Sequence, residues 1–233
     1  MNRDFVLMFR GQTNDHLNKA KRTTLKPTLF RPQPPKHVPD NKLLKNRFVR
    51  LAKAEEILVK HYAKAGFKGL NQLKRQRILR WSIIQHYGIC ETPLLDVTHS
   101  LRIAASFAYH GAKDAGYVFV LGVPNVSGAI TASAEAGLQI VRLSSVCPPS
   151  ALRPHFQEGY ELGQYPEIST VMDRDNYKHY ETDFARRLVA KFRFDPRNFW
   201  DKTYFPPIDS AALYPNADDP LFKIANAIKR ELQ

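Results

Sequence analysis

The alternation of apolar and polar positions predicts both helices and strands along this chain of 233 residues. Apolar residues recur at helical spacing over residues 41–64, where Asn41 can cap the helix and Gly66 can end it. The same spacing predicts a helix over residues 70–85 and an amphipathic helix from residue 218 onward. Apolar runs predict strands over residues 4–9, 94–98, 116–123 and 137–143, and residues 153–162 predict a strand of mixed polarity.

Three further segments complete the prediction of one compact domain. Residues 26–40 contain five prolines and are predicted to form an extended connection on the surface. Residues 99–110 predict a helix rich in small residues, whereas residues 179–194 fit a helix, a strand or one after the other. The order of these elements favours a single α+β domain over residues 1–233, with an N-terminal helical insertion at about residues 41–86.

Composition and targeting signals favour a cytoplasmic protein. The chain is 43% hydrophobic and 24% charged, which is ordinary for a soluble globular domain. It has no apolar run long enough to span a membrane and no secretory signal at its start, so no membrane partner is expected. Its two cysteines, Cys90 and Cys147, are predicted to be free thiols in a reducing compartment.

The charge balance is more informative than the composition. Lysine and arginine number 35 against 22 aspartate and glutamate residues, which gives a net charge of +13. Such an excess favours a polyanionic partner, either nucleic acid or an acidic protein that holds the chain in check. Most of the excess lies in residues 16–80, in three basic runs at residues 16–26, 42–53 and 68–80. A solvated helix face explains any one basic run there, but the three runs together predict contact with nucleic acid or phosphate.

The most specific pattern joins three separated motifs. FRGQ stands at residues 9–12, WSIIQHYGICETPLLDVTHSLRIAASFA at residues 81–108, and an R-x-x-x-Q-x-G pattern is formed by Arg153, Gln157 and Gly159. Together these motifs resemble the FRG domain, a family named after its Phe-Arg-Gly. The resemblance runs in order from about residue 5 to residue 215.

FRG domains are similar to ADP-ribosyltransferases, and this similarity implies a fold and a ligand. The expected fold is an α+β domain whose core is the split β-sheet of ADP-ribosyltransferases. The expected co-substrate is NAD, and no metal is implied. The resemblance places NAD binding at Arg10, Gly11, Gln12, His86, Tyr87, Thr98 and Ser100.

The chemistry of these residues agrees with such roles but leaves alternatives open. The planar guanidinium of Arg10, at the expected end of its strand, suits a diphosphate or paired ribose hydroxyls. Arg10 could instead be structural and pair with Asp96. Thr98 and Ser100 lie two residues apart, so they can line one wall before Ser100 or His99 caps the next helix. The rings at 86–87 can stack on nicotinamide or adenine, or simply pack against the turn that follows.

The catalytic carboxylate is the weakest part of the resemblance. Related enzymes use a glutamate on a third strand to stabilise the cationic transition state. The aligned position here is Gln157, whose amide can orient the ribose but supplies no charge. Glu158 would point to the other side of a regular strand unless a bulge turns it inward. We therefore predict Arg10, Gln157 and Glu158 as the catalytic residues, with Glu161 and Glu181 as the next candidates for the acid.

These expectations define one function and its alternatives. The chain is expected to be an NAD-dependent mono-ADP-ribosyltransferase that acts as an intracellular toxin, in a toxin–antitoxin pair or in antiviral defence. The basic surface favours single-stranded RNA or DNA as the acceptor and an acidic antitoxin as a partner. The alternatives are a protein acceptor, or a non-catalytic module that binds nucleotide or nucleic acid. A carboxylate facing Arg10 in a cleft would favour the enzyme.

Overall fold

The computed structural model describes residues 5–34, 38–201, 203–216 and 218–233. Its strands are β1 (Phe5–Gln12), β2 (Leu95–Thr98), β3 (Gly116–Pro124), β4 (Ile130–Ser133), β5 (Leu138–Arg142), β6 (Gly159–Gln164) and β7 (Leu188–Phe194). The longer helices are α1 (Asn41–Lys64), α2 (Leu70–Arg75), α3 (Arg77–His86), α4 (Leu101–Tyr109) and, further along, α9 (Pro220–Glu231). Short helices between them are α5 (Leu143–Val146), α6 (Leu152–Phe156), α7 (Val171–Asp175) and α8 (Ser210–Leu213).

The strands form one antiparallel sheet in the order β4-β5-β6-β2-β1-β3-β7. Helices and an antiparallel sheet in one domain confirm the predicted α+β class. The pairing between β1 and β2 consists of the single pair Phe9 and Thr98, whereas β1 pairs with β3 along its whole length. We call this short pairing between β1 and β2 the weak joint of the sheet. The split core implied by the resemblance is not confirmed, but the sheet has a weak joint at this place.

The weak joint lies under a gap between two groups of helices on one face of the sheet. Phe9 and Thr98 are opposite each other, so their side chains share a face, and Asp96 follows on the same face. Helix α4 covers Phe9 through Ala104. Helices α1, α3 and α9 form the larger hydrophobic core, which covers Val141 of β5. The helical cover is therefore interrupted between α3 and α4.

Helix α1 has the bounds that the apolar spacing predicts. Leu44, Leu51 and Leu58 lie on its buried side, in contact with the core that α3 and α9 share. The N-cap is Asp40 instead of the expected Asn41, and its side chain accepts a hydrogen bond from the N–H of Leu43. A carboxylate suits this position because it satisfies an otherwise free N–H of the first turn.

Helix α4 approaches β1 unusually closely, and a glycine makes this possible. A Cβ atom at Gly11 would lie 1.7 Å from the carbonyl oxygen of Ala104. No side chain fits there, so the glycine of the Phe-Arg-Gly motif is required by packing. Of the two predicted caps of α4, Ser100 is the one observed, since its side chain accepts a hydrogen bond from the N–H of Ile103.

Several predicted element bounds are wrong. Strand β1 continues two residues past Arg10, and the helix expected over residues 70–85 is divided at Gln76, whose backbone is extended. The strand expected over residues 153–162 is a short helix, α6, followed by β6. The segment left open at residues 179–194 is a 3-10 helix at Phe184–Arg187 followed by β7.

The basic region divides into two parts in the structure. On α1 the lysines at positions 42, 45, 53, 60 and 64 are exposed. Arg77 and Arg80 instead bind Glu55, with an Arg80 Nε–Oε2 distance of 2.7 Å. No helix in the described ranges is long and apolar enough to cross a membrane. Both cysteines are free thiols, as predicted.

Candidate functional site

A cavity of about 410 Å³ occupies the gap between α3 and α4 at the weak joint of the sheet. Strands β1, β2 and β6 form its floor. Its polar wall includes Arg10, Gln12, Gln85, His86, Asp96, Thr98, Arg153 and Gln157. These residues come from the FRGQ stretch, the long central block and the R-x-x-x-Q-x-G pattern, so folding brings the three separated motifs into one cavity.

Arg10 bridges the opening between β1 and β2. Its Nη1 donates a hydrogen bond to the backbone carbonyl oxygen of Asp96 at 2.6 Å and lies 3.7 Å from the Asp96 carboxylate Oδ2. The guanidinium thus takes the place of a backbone N–H donor where the backbone pairing between β1 and β2 does not continue. Its Nε is buried without a hydrogen-bond partner in the described chain. Arg10 therefore has the structural contact with Asp96 and also lines the cavity, while its role in binding a ligand stays a prediction.

Asp96 supplies an ionised carboxylate to the cavity wall. Its Oδ2 accepts a hydrogen bond of 2.6 Å from Gln85 Nε2, and the Gln85 amide oxygen accepts in turn from the hydroxyl of Thr92. Burial alone would raise the pKa of Asp96, but the charge of Arg10, followed by hydrogen bonds with Glu161 and Gln85, outweighs it and lowers this pKa. The carboxylate is consequently negative at neutral pH and is held in a fixed direction.

Glu161 lies directly opposite Asp96 in the β2–β6 ladder and is completely buried. No other described residue donates a hydrogen bond to its carboxyl oxygens, so a hydrogen bond between Glu161 and Asp96 requires a proton on one of the two acids. Burial, followed by the charge of Asp96, raises the pKa of Glu161 well above its ordinary value. The raised pKa of Glu161 and the lowered pKa of Asp96 favour a proton on Glu161 and the negative charge on Asp96, and Glu161 lies behind the cavity wall.

His86 completes this buried cluster as a neutral ring. Its Nδ1 lies 3.8 Å from Glu161 Oε1. Burial and the charge of Arg153 lower the pKa of His86 to about 3, so the ring carries no charge near neutral pH. A Cβ atom at Gly159 would lie 3.1 Å from Cε1 of the His86 ring and 2.8 Å from Leu143. The glycine of the R-x-x-x-Q-x-G pattern therefore leaves space for the histidine.

Arg153 brings a second guanidinium to the cavity, which the sequence analysis did not assign to the site. The group lies 4.8 Å from the centre of the Tyr214 ring and 5.4 Å from that of Tyr87. Its Nε is buried without a hydrogen-bond partner in the described residues. The position of Arg153 at the start of its motif was the available signal. Two cations with free donor groups thus face one cavity.

The two residues expected to carry the catalytic chemistry lie in different surroundings. Gln157 is buried and lines the cavity, but its Nε2 donates a hydrogen bond of 2.7 Å to the carbonyl oxygen of Leu213. Glu158 is exposed in the turn after α6, has a positive φ of 43°, and is outside the cavity wall. The expectation that these residues lie on a strand is wrong, and the acids beside Arg10 are Asp96 and Glu161. Glu181 bonds a nearby backbone N–H on the surface.

Of the remaining residues expected to contact NAD, some line the cavity and others support the structure around it. Gln12 and Thr98 line the cavity, whereas Ser100 is used as the cap of α4. Tyr87 is buried behind the wall, where its hydroxyl donates a hydrogen bond of 2.7 Å to Asp219 Oδ2. The packing alternative for this tyrosine therefore agrees with its position.

His86, Asp96 and Glu161 could also hold a metal ion. One ligand atom from each lies within 4.8 Å of the other two. Arg10 is a cation that already lies 3.7 Å from the Asp96 carboxylate, so its charge opposes a metal ion at this place. The expectation of a site without metal stays a prediction.

Comparison with known proteins identifies part of the chain. The family model of the FRG domain matches residues 6–116. This range contains Arg10, His86, Asp96 and Thr98, while Glu161 and the R-x-x-x-Q-x-G pattern lie beyond it. Neither the curated proteins nor the solved structures gave a match to this chain.

Proposed function

Because this chain carries an FRG domain over residues 6–116, we propose that it is an NAD-dependent mono-ADP-ribosyltransferase whose active site is the cavity between α3 and α4. One observation carries the proposal: the ionised carboxylate of Asp96 lies 3.7 Å from the guanidinium of Arg10 inside this cavity. A cation beside an oriented anion matches a substrate that has a diphosphate next to a ribose which becomes positive during reaction.

The proposed reaction breaks the bond between nicotinamide and C1′ of its ribose, and nicotinamide leaves with the bonding electron pair. The ribose then resembles an oxocarbenium ion, whose positive charge Asp96 stabilises. An oxygen or nitrogen of the acceptor forms the new bond to C1′ and releases its proton. With water as the acceptor, the products are ADP-ribose, nicotinamide and a proton.

The other polar residues of the cavity bind and orient the substrate. Arg10 and Arg153 have unpartnered buried Nε groups that suit diphosphate oxygens. Thr98 lines the wall with a hydroxyl that can contact a ribose. Gln85 and protonated Glu161 hold Asp96 from behind, so we assign them positioning roles. A fixed carboxylate needs little rearrangement when positive charge develops.

The proposed acceptor is single-stranded RNA or DNA, and the proposed context is a toxin or an antiviral effector in the cytoplasm. The net charge of +13 and the exposed lysines of α1 support a polyanionic acceptor, since cations attract and hold phosphates. The same charge supports an acidic antitoxin as the partner that restrains the chain.

The second candidate is a module that binds nucleotide without turnover. It is favoured by the hydrogen bonds that already occupy Arg10 Nη1 and the Gln157 amide, which leave fewer groups for a transition state. The two candidates differ in product. An enzyme releases nicotinamide from NAD, whereas a binding module leaves NAD intact.

The test is to incubate the purified chain with NAD labelled in its adenylate part and, separately, with total RNA, total DNA and lysate protein. We expect label to enter the RNA or DNA fraction, with nicotinamide released in equal amount. Label in the protein fraction alone would replace nucleic acid by a protein acceptor. Intact NAD in every incubation would contradict the enzyme and leave the binding module.

A further inference from the structure

A second cavity of about 700 Å³ adjoins the first one. It lies between the segment that follows β1 and the proline-rich connection, and its walls include Leu25, Pro32 and Pro34. Gln12 and His16 belong to the walls of both cavities. A molecule that occupies the second cavity can therefore extend past these two side chains into the first.

The second cavity is strongly cationic. Its described lining contains Lys19, Lys26 and Arg31 and includes no carboxylate. Arg31 Nε donates a hydrogen bond of 3.0 Å to the backbone oxygen of Lys26, which keeps the guanidinium beside this lysine. Partial burial and then the charge of Arg10 lower the pKa of Arg31, so the cations of the two cavities act on one another. A bound anion would relieve this repulsion.

We propose that the second cavity binds the phosphodiester backbone of a single-stranded nucleic acid and presents the adjacent nucleotide to the first cavity. This assignment rests on the proposed ADP-ribosyl transfer, for which it supplies the acceptor site. Three cations without a carboxylate suit consecutive phosphates. The shared boundary at Gln12 and His16 provides the path by which a nucleotide reaches the carbon that loses nicotinamide.

The lining also indicates how the strand is read. Stacking platforms for bases consist of aromatic rings, and His16 is the one planar ring among the described residues that line this cavity. Lysine and arginine contacts to phosphate carry no sequence information. The second cavity therefore holds strands of different sequence equally, and any preference for a base comes from the first cavity.

The test is binding of a labelled oligonucleotide of about 12 nucleotides, a length in the usual range for single-strand sites, measured by fluorescence anisotropy at several salt concentrations. The double variant Lys19→Ala/Lys26→Ala removes two charges from the cavity. We expect it to lower the slope of log Kd against log salt by about 1.4 and to raise Kd roughly 25-fold near 0.1 M salt, because each phosphate contact contributes about 0.7 to that slope. No NAD is present, so failure of NAD turnover cannot affect this result.

The control is Lys223→Ala/Arg230→Ala, which removes two exposed cations from α9. It should leave both the slope and Kd near the wild-type values. Equal losses in the two double variants would overturn the proposal in favour of general attraction by net charge. Absence of oligonucleotide binding by the wild-type chain would overturn it as well.

The adenylate half of NAD also carries phosphate and could occupy the second cavity. NAD affinity is therefore measured by calorimetry on the same variants. The proposal expects the Lys19→Ala/Lys26→Ala variant to bind NAD like the wild type. Weakened NAD binding with unchanged oligonucleotide binding would assign the second cavity to NAD and overturn our assignment. If the wild type binds the oligonucleotide through this cavity but never cleaves NAD, the proposed function fails and the second cavity remains a nucleic-acid site.

Discussion

Substituting Glu161 by glutamine should stabilise the protein, and the gain should grow with pH. Glu161 is fully buried beside Asp96, and its pKa is raised well above the ordinary value by burial and by that neighbour. An acid with a raised pKa binds its proton more tightly in the folded state, so its contribution is favourable at low pH and is lost as pH rises towards the raised pKa. Glutamine has the same shape and keeps an N–H donor, but it has no proton to lose.

The magnitude follows from proton linkage. Between the ordinary pKa of a glutamate and the raised one, each pH unit costs the wild type about 1.4 kcal/mol relative to the variant. The difference should level off once the pH passes the raised pKa, so the plateau locates that pKa. For a chain of this size, each 1 kcal/mol corresponds to a shift of about 2–4 °C in Tm.

His86 makes the free energy of unfolding depend on pH with the opposite sign. Its pKa in the folded state is lowered to about 3, so its contribution is present above the ordinary histidine pKa and is lost as pH falls below it. From pH 7 to pH 5 this loss is about 2 kcal/mol. In the wild type the slopes of His86 and Glu161 oppose each other. In Glu161→Gln the opposing slope of Glu161 is removed, so the loss of about 2 kcal/mol that His86 causes over that interval is no longer offset by it.

Urea unfolding of the wild type and Glu161→Gln at pH 5, 6 and 7 measures these slopes, with Glu56→Gln on the exposed side of α1 as the control. The control should change stability equally at every pH. If Glu161→Gln is less stable than the wild type at pH 7 and the difference does not vary with pH, Glu161 is ionised in the folded protein. The shared proton of the carboxyl pair would then be refuted.

The remaining predictions concern the motif residues. Gly11→Ala should cost about 3 kcal/mol or more in urea unfolding, because its Cβ would meet the backbone of Ala104 at 1.7 Å, whereas Gly128→Ala should be nearly neutral. Tyr87→Phe removes a buried hydrogen bond and should cost about 1–3 kcal/mol without changing NAD affinity; weakened NAD binding in calorimetry would place this ring in the ligand site. Arg10→Lys keeps the charge but loses the planar fork, so it should fold and yet bind NAD poorly, and wild-type affinity would remove the guanidinium from the diphosphate site.

The sequence predicted elements that depend on local patterns. Helix α1 repeats apolar residues over six turns, and Ser100 precedes a helix at the capping position, so no distant contact was needed to locate either. The strand predicted over residues 153–162 is wrong in its first half. Tyr160 and Leu162 alternate with polar residues as in a strand, but this alternation does not continue back to residue 153. Pro154, in the first turn of α6, was a local signal for a helix start.

The sequence named Glu161 as a further candidate for the acid and Asp96 as a possible partner of Arg10, but it did not predict that these two acids form a pair. Glu161 occupies the polar position of an alternating strand, where a residue normally faces water. It is buried beside His86 of α3, and it meets Asp96 because β6 pairs with β2 in one particular register. The spacing of residues along the sequence indicates neither the burial of Glu161 nor the register in which β2 and β6 pair. Arg10 was found because its motif names it, although its hydrogen bond across the sheet opening was not expected.

The role of Asp96 in the proposed reaction can be tested by measuring NAD affinity and NAD cleavage separately in Asp96→Asn, with Glu158→Gln as the matched control. Asparagine keeps an oxygen for the hydrogen bond from Gln85 but removes the negative charge. We expect cleavage to fall about a hundredfold or more, the effect of one preorganised electrostatic group, while NAD affinity changes little. Glu158→Gln should cleave like the wild type, since Glu158 is exposed outside the cavity. Wild-type cleavage by Asp96→Asn, together with loss of cleavage in Glu158→Gln, would contradict the account.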